Sequence, residues 1–176
     1  MTYETIFAGF GGQGILFAGK VIAYAGMVEN KNVSHLPSYG PEMRGGTCNC
    51  HVIVSDDPVA SPIIVEPTSV VAMNAPSFDK FEDTLVPGGK AFVDSTLVSR
   101  DAKRDDIEVF KIPATQMANE MGLPKLANMI IVGKLVKETG IFTFDELSKA
   151  VKKLVPASKP ELYDSNMKAL EAGYNF

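Results

Sequence analysis

The chain has 176 residues, enough for one well-packed core and short for two. Its 45% hydrophobic and 22% charged residues are ordinary for a globular protein and exclude an extended disordered chain. A net charge of −4 with scattered lysines and arginines excludes the concentrated basic surface that nucleic acid or an anionic membrane requires. No apolar run approaches the roughly 20 residues that span a bilayer, and the N-terminus lacks the basic-then-apolar pattern of a secretion signal, so a cytoplasmic protein is expected.

In chain order, the apolar run at 3–8 enters the turn Gly9-Phe10-Gly11-Gly12-Gln13-Gly14, which opens into a helical pattern over 15–28. A second strand is expected at 32–36, running into Pro37 and Ser38, and a third at 47–54, ended by Ser55-Asp56-Asp57-Pro58. The wholly apolar 70–73 suits a buried parallel strand, handing over through Asn74-Ala75-Pro76 to a helix over 77–85 that stops at Val86-Pro87-Gly88-Gly89. Strands follow at 90–95 and 107–112. From Ala114 the period becomes helical, with Gly122-Leu123-Pro124 dividing two helices whose Met-containing stripe reads as core. Thr143-Phe144-Asp145-Glu146 is a capping box opening a helix that ends before Pro156, and a last helix follows Ser158-Lys159-Pro160-Glu161. The alternation predicts an α/β fold: a single Rossmann-like domain over 1–176, with a mostly parallel sheet flanked by helices.

In such a sheet the ligand crevice lies beyond the carboxyl ends of the strands, so segments 9–14, 37–46, 74–77 and 94–96 are expected on one rim. The first glycine segment lets backbone approach a phosphate while the N–H groups of a helix start face the anion. Gly9-x-Gly11-x-x-Gly14 fits the dinucleotide fingerprint, but the acidic residue that would hold a ribose about 20 positions on is missing, the nearest carboxylate being Glu29 before the second strand. Two other readings stand beside a dinucleotide: a different phosphate ligand, and a turn that serves close packing alone. The second segment, Ser38-Tyr39-Gly40-Pro41-Glu42-Met43-Arg44-Gly45-Gly46, offers Arg44 for a bidentate anion contact, Gly45 and Gly46 for unobstructed N–H groups, and Glu42 to orient the arginine. An ordinary Arg44–Glu42 surface pair is the alternative there. Cys48 and Cys50, at i and i+2 of a strand, read as small buried hydrophobes rather than metal ligands. With His35 and His51 the only histidines, no nucleophile elbow and no Walker loop, the chain carries no autonomous catalytic constellation and reads as one part of a larger assembly.

At these two glycine segments the sequence closely resembles the gamma subunit of the 2-oxoacid:ferredoxin oxidoreductases, over essentially its whole length. The resemblance implies an enzyme that oxidatively decarboxylates a 2-oxoacid, 2-oxoglutarate being favoured, transfers the acyl group to coenzyme A and reduces ferredoxin. It implies alpha and beta partner subunits, with a ferredoxin-like delta subunit in some assemblies, and thiamine diphosphate and iron–sulfur clusters held by those partners. The isolated chain is then expected to be inactive and to form a homodimer, if any, through faces its partners normally cover. Gly11, Gly12, Gln13 and Gly14, with Ser38, Tyr39, Glu42, Arg44, Gly45 and Gly46, are the residues the resemblance implies at a coenzyme A rim. A free-standing dinucleotide-binding protein of dehydrogenase type is the alternative.

Overall fold

The computed structural model describes residues 1–40 and 46–176. Strands β1 Thr2–Phe10, β2 Asn32–Tyr39, β3 Thr47–Ser55, β4 Ser69–Ala72, β5 Lys90–Asp94 and β6 Glu108–Ile112 form one sheet in the order β2-β3-β1-β4-β5-β6. β1, β4, β5 and β6 pair in parallel, whereas β3 runs antiparallel to both β1 and β2. Five strands thus share one direction and β3 alone opposes them. The reversal follows from connection length, because a parallel crossover needs a dozen or more residues and 40–46 offers only a hairpin link. β2 continues through Pro37 to Tyr39, beyond the expected end at 36; a proline is tolerated because β2 is an edge strand.

The helices are α1 Ile15–Val28, α2 Ala75–Phe81, α3 Ala114–Glu120, α4 Ala127–Thr139, α5 Phe144–Leu154 and α6 Pro160–Tyr174. α2 starts two residues before the expected position because the Asn74 side chain accepts from the Ser77 N–H at 2.8 Å, with Pro76 in its first turn. A 3₁₀ turn, Glu82–Thr84, completes the expected helix to 85. The capping box is present: Thr143 Oγ1 accepts from Glu146 N–H at 3.3 Å, and Glu146 Oε2 from Thr143 N–H at 2.7 Å.

Alternating residues of the sheet feed two cores. Phe7, Val71 and Phe92 join α1 and α4 through Ile22, Ile130 and Leu135, while Ile6, Val70, Ala72 and Val93 join Phe78 and Phe81 of α2. On the thicker side α5 packs on α1 and α6 on α4. The methionine stripe is core at Met129, though Met121 at the end of α3 is exposed. On the thinner side the buried Glu82 pairs with Arg100 at 2.7 Å and accepts the N–H groups of Lys103 and Arg104, tying the long β5–β6 connection to the end of α2.

The approach of α6 to α4 is set by glycines. A Cβ on Gly173 would overlap the backbone carbonyl of Ile130, and one on Gly133 the carbonyl of Leu170. Helix propensity alone favours Gly173→Ala by about 1 kcal/mol, but a backbone carbonyl cannot rotate away, so overpacking wins. Gly173→Ala is expected to destabilise the fold by about 2 kcal/mol, read as a fall of roughly 4–8 °C in Tm by calorimetry.

Candidate functional site

The common strand direction brings Phe10, Tyr39, Ala72 and Asp94 to one edge, so the described parts of the expected rim lie together. The two glycine segments meet there: Gly11 N–H donates to the Gly46 carbonyl at 2.9 Å. Behind them the hairpin is closed by Gly40 N–H to Thr47 O at 3.4 Å and by the pairing of Tyr39 with Cys48.

Gly14 is the N-cap of α1, left-handed at φ 74°, with no side-chain cap and no acidic residue in the first turn. The first-turn N–H groups, which helix geometry leaves unpaired, and about half a positive charge of helix dipole therefore face the rim. Gly12, at φ 100°, leaves open space where a side chain would stand. A cleft of about 310 Å³ lies over this helix start, walled by Gly11, Gly12, Gly14, Leu16, Phe17 and the half-exposed Tyr39. A smaller cleft of about 240 Å³ at the opposite sheet edge holds Asp56, whose carboxyl is held down at about 2 by Lys31 and the N-terminal amine; that charge is already paired.

The sequence-derived site residues are not equivalent. Gln13 does not face the cleft as a ligand: its Oε1 accepts from Phe10 N–H at 2.7 Å and its Nε2 donates to Met73 O at 2.9 Å, pinning the turn to the end of β4. Ser38 precedes Tyr39 on β2 and so projects to the opposite face, outside the cleft. Glu42, Arg44 and Gly45 lie outside the described residues. Asn128, which no motif singled out, donates from Nδ2 to Gly14 O at 3.0 Å. Its sequence signal is a polar residue within the apolar run Ala127-Asn128-Met129-Ile130-Ile131, on a helix face that is otherwise core.

Cys48 and Cys50 are buried on the α1 face of β3. Burial raises both thiols, Cys50 to about 12, so neither is a ready thiolate for catalysis or cluster ligation. His35 sits beneath α1 beside Gly19, and His51 Nδ1 accepts from Ile64 N–H at 3.0 Å to hold the 56–68 connection against β3. Burial lowers both imidazoles, helped by Lys20 at His35 and Lys80 at His51.

This fold and rim define an α/β domain with an anion-ready helix start and a second glycine-rich segment that meets it at Gly46. The chain matches the pyruvate ferredoxin/flavodoxin oxidoreductase family over residues 4–176. It is 36% identical to the 2-oxoglutarate synthase subunit KorC of Methanocaldococcus jannaschii, across 99% of this chain and 93% of that one. It is 38% identical to the ketoisovalerate oxidoreductase subunit VorA of Methanothermobacter thermautotrophicus, where 94% of this chain spans only 34% of the relative's length. The keto/oxoacid ferredoxin oxidoreductase gamma subunit of Geobacter sulfurreducens superposes with a TM-score of 0.82 at 30% identity, covering 98% and 96% of the two chains. The 2-oxoglutarate:ferredoxin oxidoreductase of Magnetococcus marinus, solved with 2-oxoglutarate, coenzyme A and succinyl-CoA, shares the fold with a TM-score of 0.89 at 22% identity, over 99% of this chain and 30% of that one. The chain therefore belongs to this family and is a gamma-type subunit of a 2-oxoacid:ferredoxin oxidoreductase.

Both histidine shifts have the same sign. A folded-state pKa below the usual 6.5 means the unfolded chain binds more protons, so their stabilisation is complete above pH 6.5 and is lost as pH falls through the folded values. Urea midpoints are expected to fall from about pH 7.5 to about pH 5, and His51→Gln to reduce that fall; an unchanged slope in the variant removes His51 from the account.

Proposed function

We propose that this chain forms the coenzyme A rim of a cytoplasmic complex that oxidises a 2-oxoacid, with 2-oxoglutarate as the favoured substrate, to its acyl-CoA and reduces ferredoxin. In that reaction the carboxylate carbon leaves as carbon dioxide and the acyl carbon is captured by the coenzyme A sulfur. The thiol proton is released and the electron pair passes to ferredoxin. The observation that carries the reading is the uncapped start of α1 under an open cleft, with the turn before it bonded from Gly11 N–H to Gly46 O of the second glycine segment. Coenzyme A presents a pyrophosphate and a further phosphate, for which a helix start and an arginine are suitable partners. On this reading Gly12, Gly14 and the first turn of α1 meet phosphate through backbone while the Gly11 N–H stays on Gly46 O, Arg44 supplies a cation, and Tyr39 offers a face to the adenine. The favoured substrate is supported by the name of the Methanocaldococcus jannaschii relative.

Thiamine diphosphate would supply the carbanion chemistry and iron–sulfur clusters the electron path, both on the alpha and beta chains or a ferredoxin-like delta chain. The residues present here do not fit cluster ligation, because both thiols are buried and held protonated. Relatives of about three times this length, in which the region is one part of a longer polypeptide, support stable association with such partners.

Produced anaerobically with its partner subunits, the chain is expected to yield 2-oxoacid- and coenzyme-A-dependent ferredoxin reduction, and alone to yield none. Tight binding of a nicotinamide cofactor by the lone chain would instead support the dehydrogenase reading. A sharper test is Leu16→Asp in the assembled enzyme. A carboxylate in the first turn suits the helix dipole by about 0.5 kcal/mol yet opposes a phosphate about 4 Å away by up to about 4 kcal/mol. KM for coenzyme A is expected to rise at least tenfold, as it is for Arg44→Ala. Unchanged values in both variants mean that the rim does not touch the coenzyme.

A further inference from the structure

We infer that Asn128 is a positioning residue for coenzyme A, acting through the glycine turn rather than by contact; this rests on the coenzyme A reading above. Asn128 is the second residue of α4 and is 3% exposed. Its Nδ2 donates at 3.0 Å to Gly14 O, the same carbonyl that accepts the Ala18 N–H at 3.0 Å and so begins the hydrogen-bond ladder of α1. The amide orientation is fixed by this partner, since the reverse would set Oδ1 against a carbonyl. Oδ1 has no hydrogen-bond partner among the described residues, although solvent does not reach it. A half-satisfied buried amide among apolar neighbours is a poor choice for stability alone, so what it holds needs explaining.

What it holds is the cap residue of α1. Gly14 stands at φ 74°, and a Cβ there would overlap the Asn128 amide, so glycine and asparagine fit as a unit. On the other side, Gln13 ties the turn to Met73 O at the end of β4, and Asn74 Nδ2 approaches Gln13 Oε1 at 3.4 Å. The turn is thus clamped between β4 and the start of α4, and the direction in which its first-turn N–H groups point is fixed by two amides. Helix N–H groups bind an anion by direction as well as distance, and a site loosened by a few tenths of an ångström binds less tightly. Loss of the Asn128 clamp therefore weakens capture of the coenzyme and leaves the chemistry, carried out on other chains, intact.

The test is Asn128→Asp in the assembled complex, with Leu16→Asp beside it. The substitution keeps the side chain's size, removes the donor and sets a carboxylate against Gly14 O. KM for coenzyme A is expected to rise at least tenfold, with kcat at saturating coenzyme A and KM for the 2-oxoacid within twofold of wild type. Relative to wild type the coenzyme A KM should recover as pH is lowered, because the protonated acid regains a donor for Gly14 O. A lowered Tm with unchanged KM for coenzyme A makes Asn128 merely structural and overturns the inference. If Leu16→Asp raises that KM and Asn128→Asp does not, only the role of Asn128 falls; if neither does, the coenzyme A reading falls with it. Should Asn128→Asp not assemble, hydrogen exchange on the wild-type complex decides. Coenzyme A is expected to slow the amides of the first turns of α1 and α4 together; protection of α1 without α4 overturns the clamp, and protection of neither overturns the rim.

Discussion

The rim depends on one hydrogen bond between two glycines, Gly11 N–H to Gly46 O, and that bond exists because β3 runs against its neighbours. With β3 reversed, the chain leaves β2 at the carboxyl edge and re-enters the sheet at the same edge, so Gly46 arrives beside the end of β1. A parallel β3 would have started at the far edge and carried Gly46 away from the glycine turn. Side-chain-free backbone at both ends of the bond is what allows the two segments to close on each other and leave the cleft open above α1.

The second constraint lies on the other side of the domain, where Gly133 and Gly173 let α6 settle on α4 backbone against backbone. This seats α4 as a buried helix between α6 and β5, with nine of its thirteen residues buried. Its start then falls beside the start of α1, within reach of Gly14. Two helix N-termini converge on one edge of the sheet, and the positive ends of their dipoles add there. The tight packing of the thick layer and the two positive dipole ends at the rim are consequences of the same placement.

Much of this was legible in the sequence because it is local. The strand–glycine turn–helix unit, the Thr143 capping box and the stop after β4 each depend on a few adjacent residues, and the structure has them within a residue or two. The helix expected at 77–85 divides into α2 and a 3₁₀ turn, and α2 starts earlier because the Asn74 side chain caps a first turn that admits Pro76. β2 ran longer because an edge strand needs no inward N–H from every residue, which a proline taken alone does not reveal. Ser38 and Tyr39 read alike in a motif, yet strand alternation sends them to opposite faces. Gln13 reads as a ligand among glycines, whereas its side chain braces the turn, bonding to Phe10 within it and to Met73 and Asn74 some sixty residues away. Asn128 is the same lesson inverted: its meaning comes from Gly14, and no local pattern connects them.

Electrostatics gives the rim its place in a larger assembly. A chain of net charge −4 is a poor long-range attractor for a polyanionic coenzyme. On the proposed reading its capture relies on short-range, directed N–H groups and on cations from Arg44 and from partner chains. Such directed groups act only where water is excluded and geometry is held, and a cleft with one open side provides neither in isolation. The clamps at Gln13 and Asn128 supply the geometry from within the chain. The exclusion of water has to come from what covers the open side, including the exposed Phe10 and Tyr39 at its mouth. On the proposed reading the binding surface is finished only by assembly, which is the physical reason to expect the activity of the complex and the silence of the chain alone.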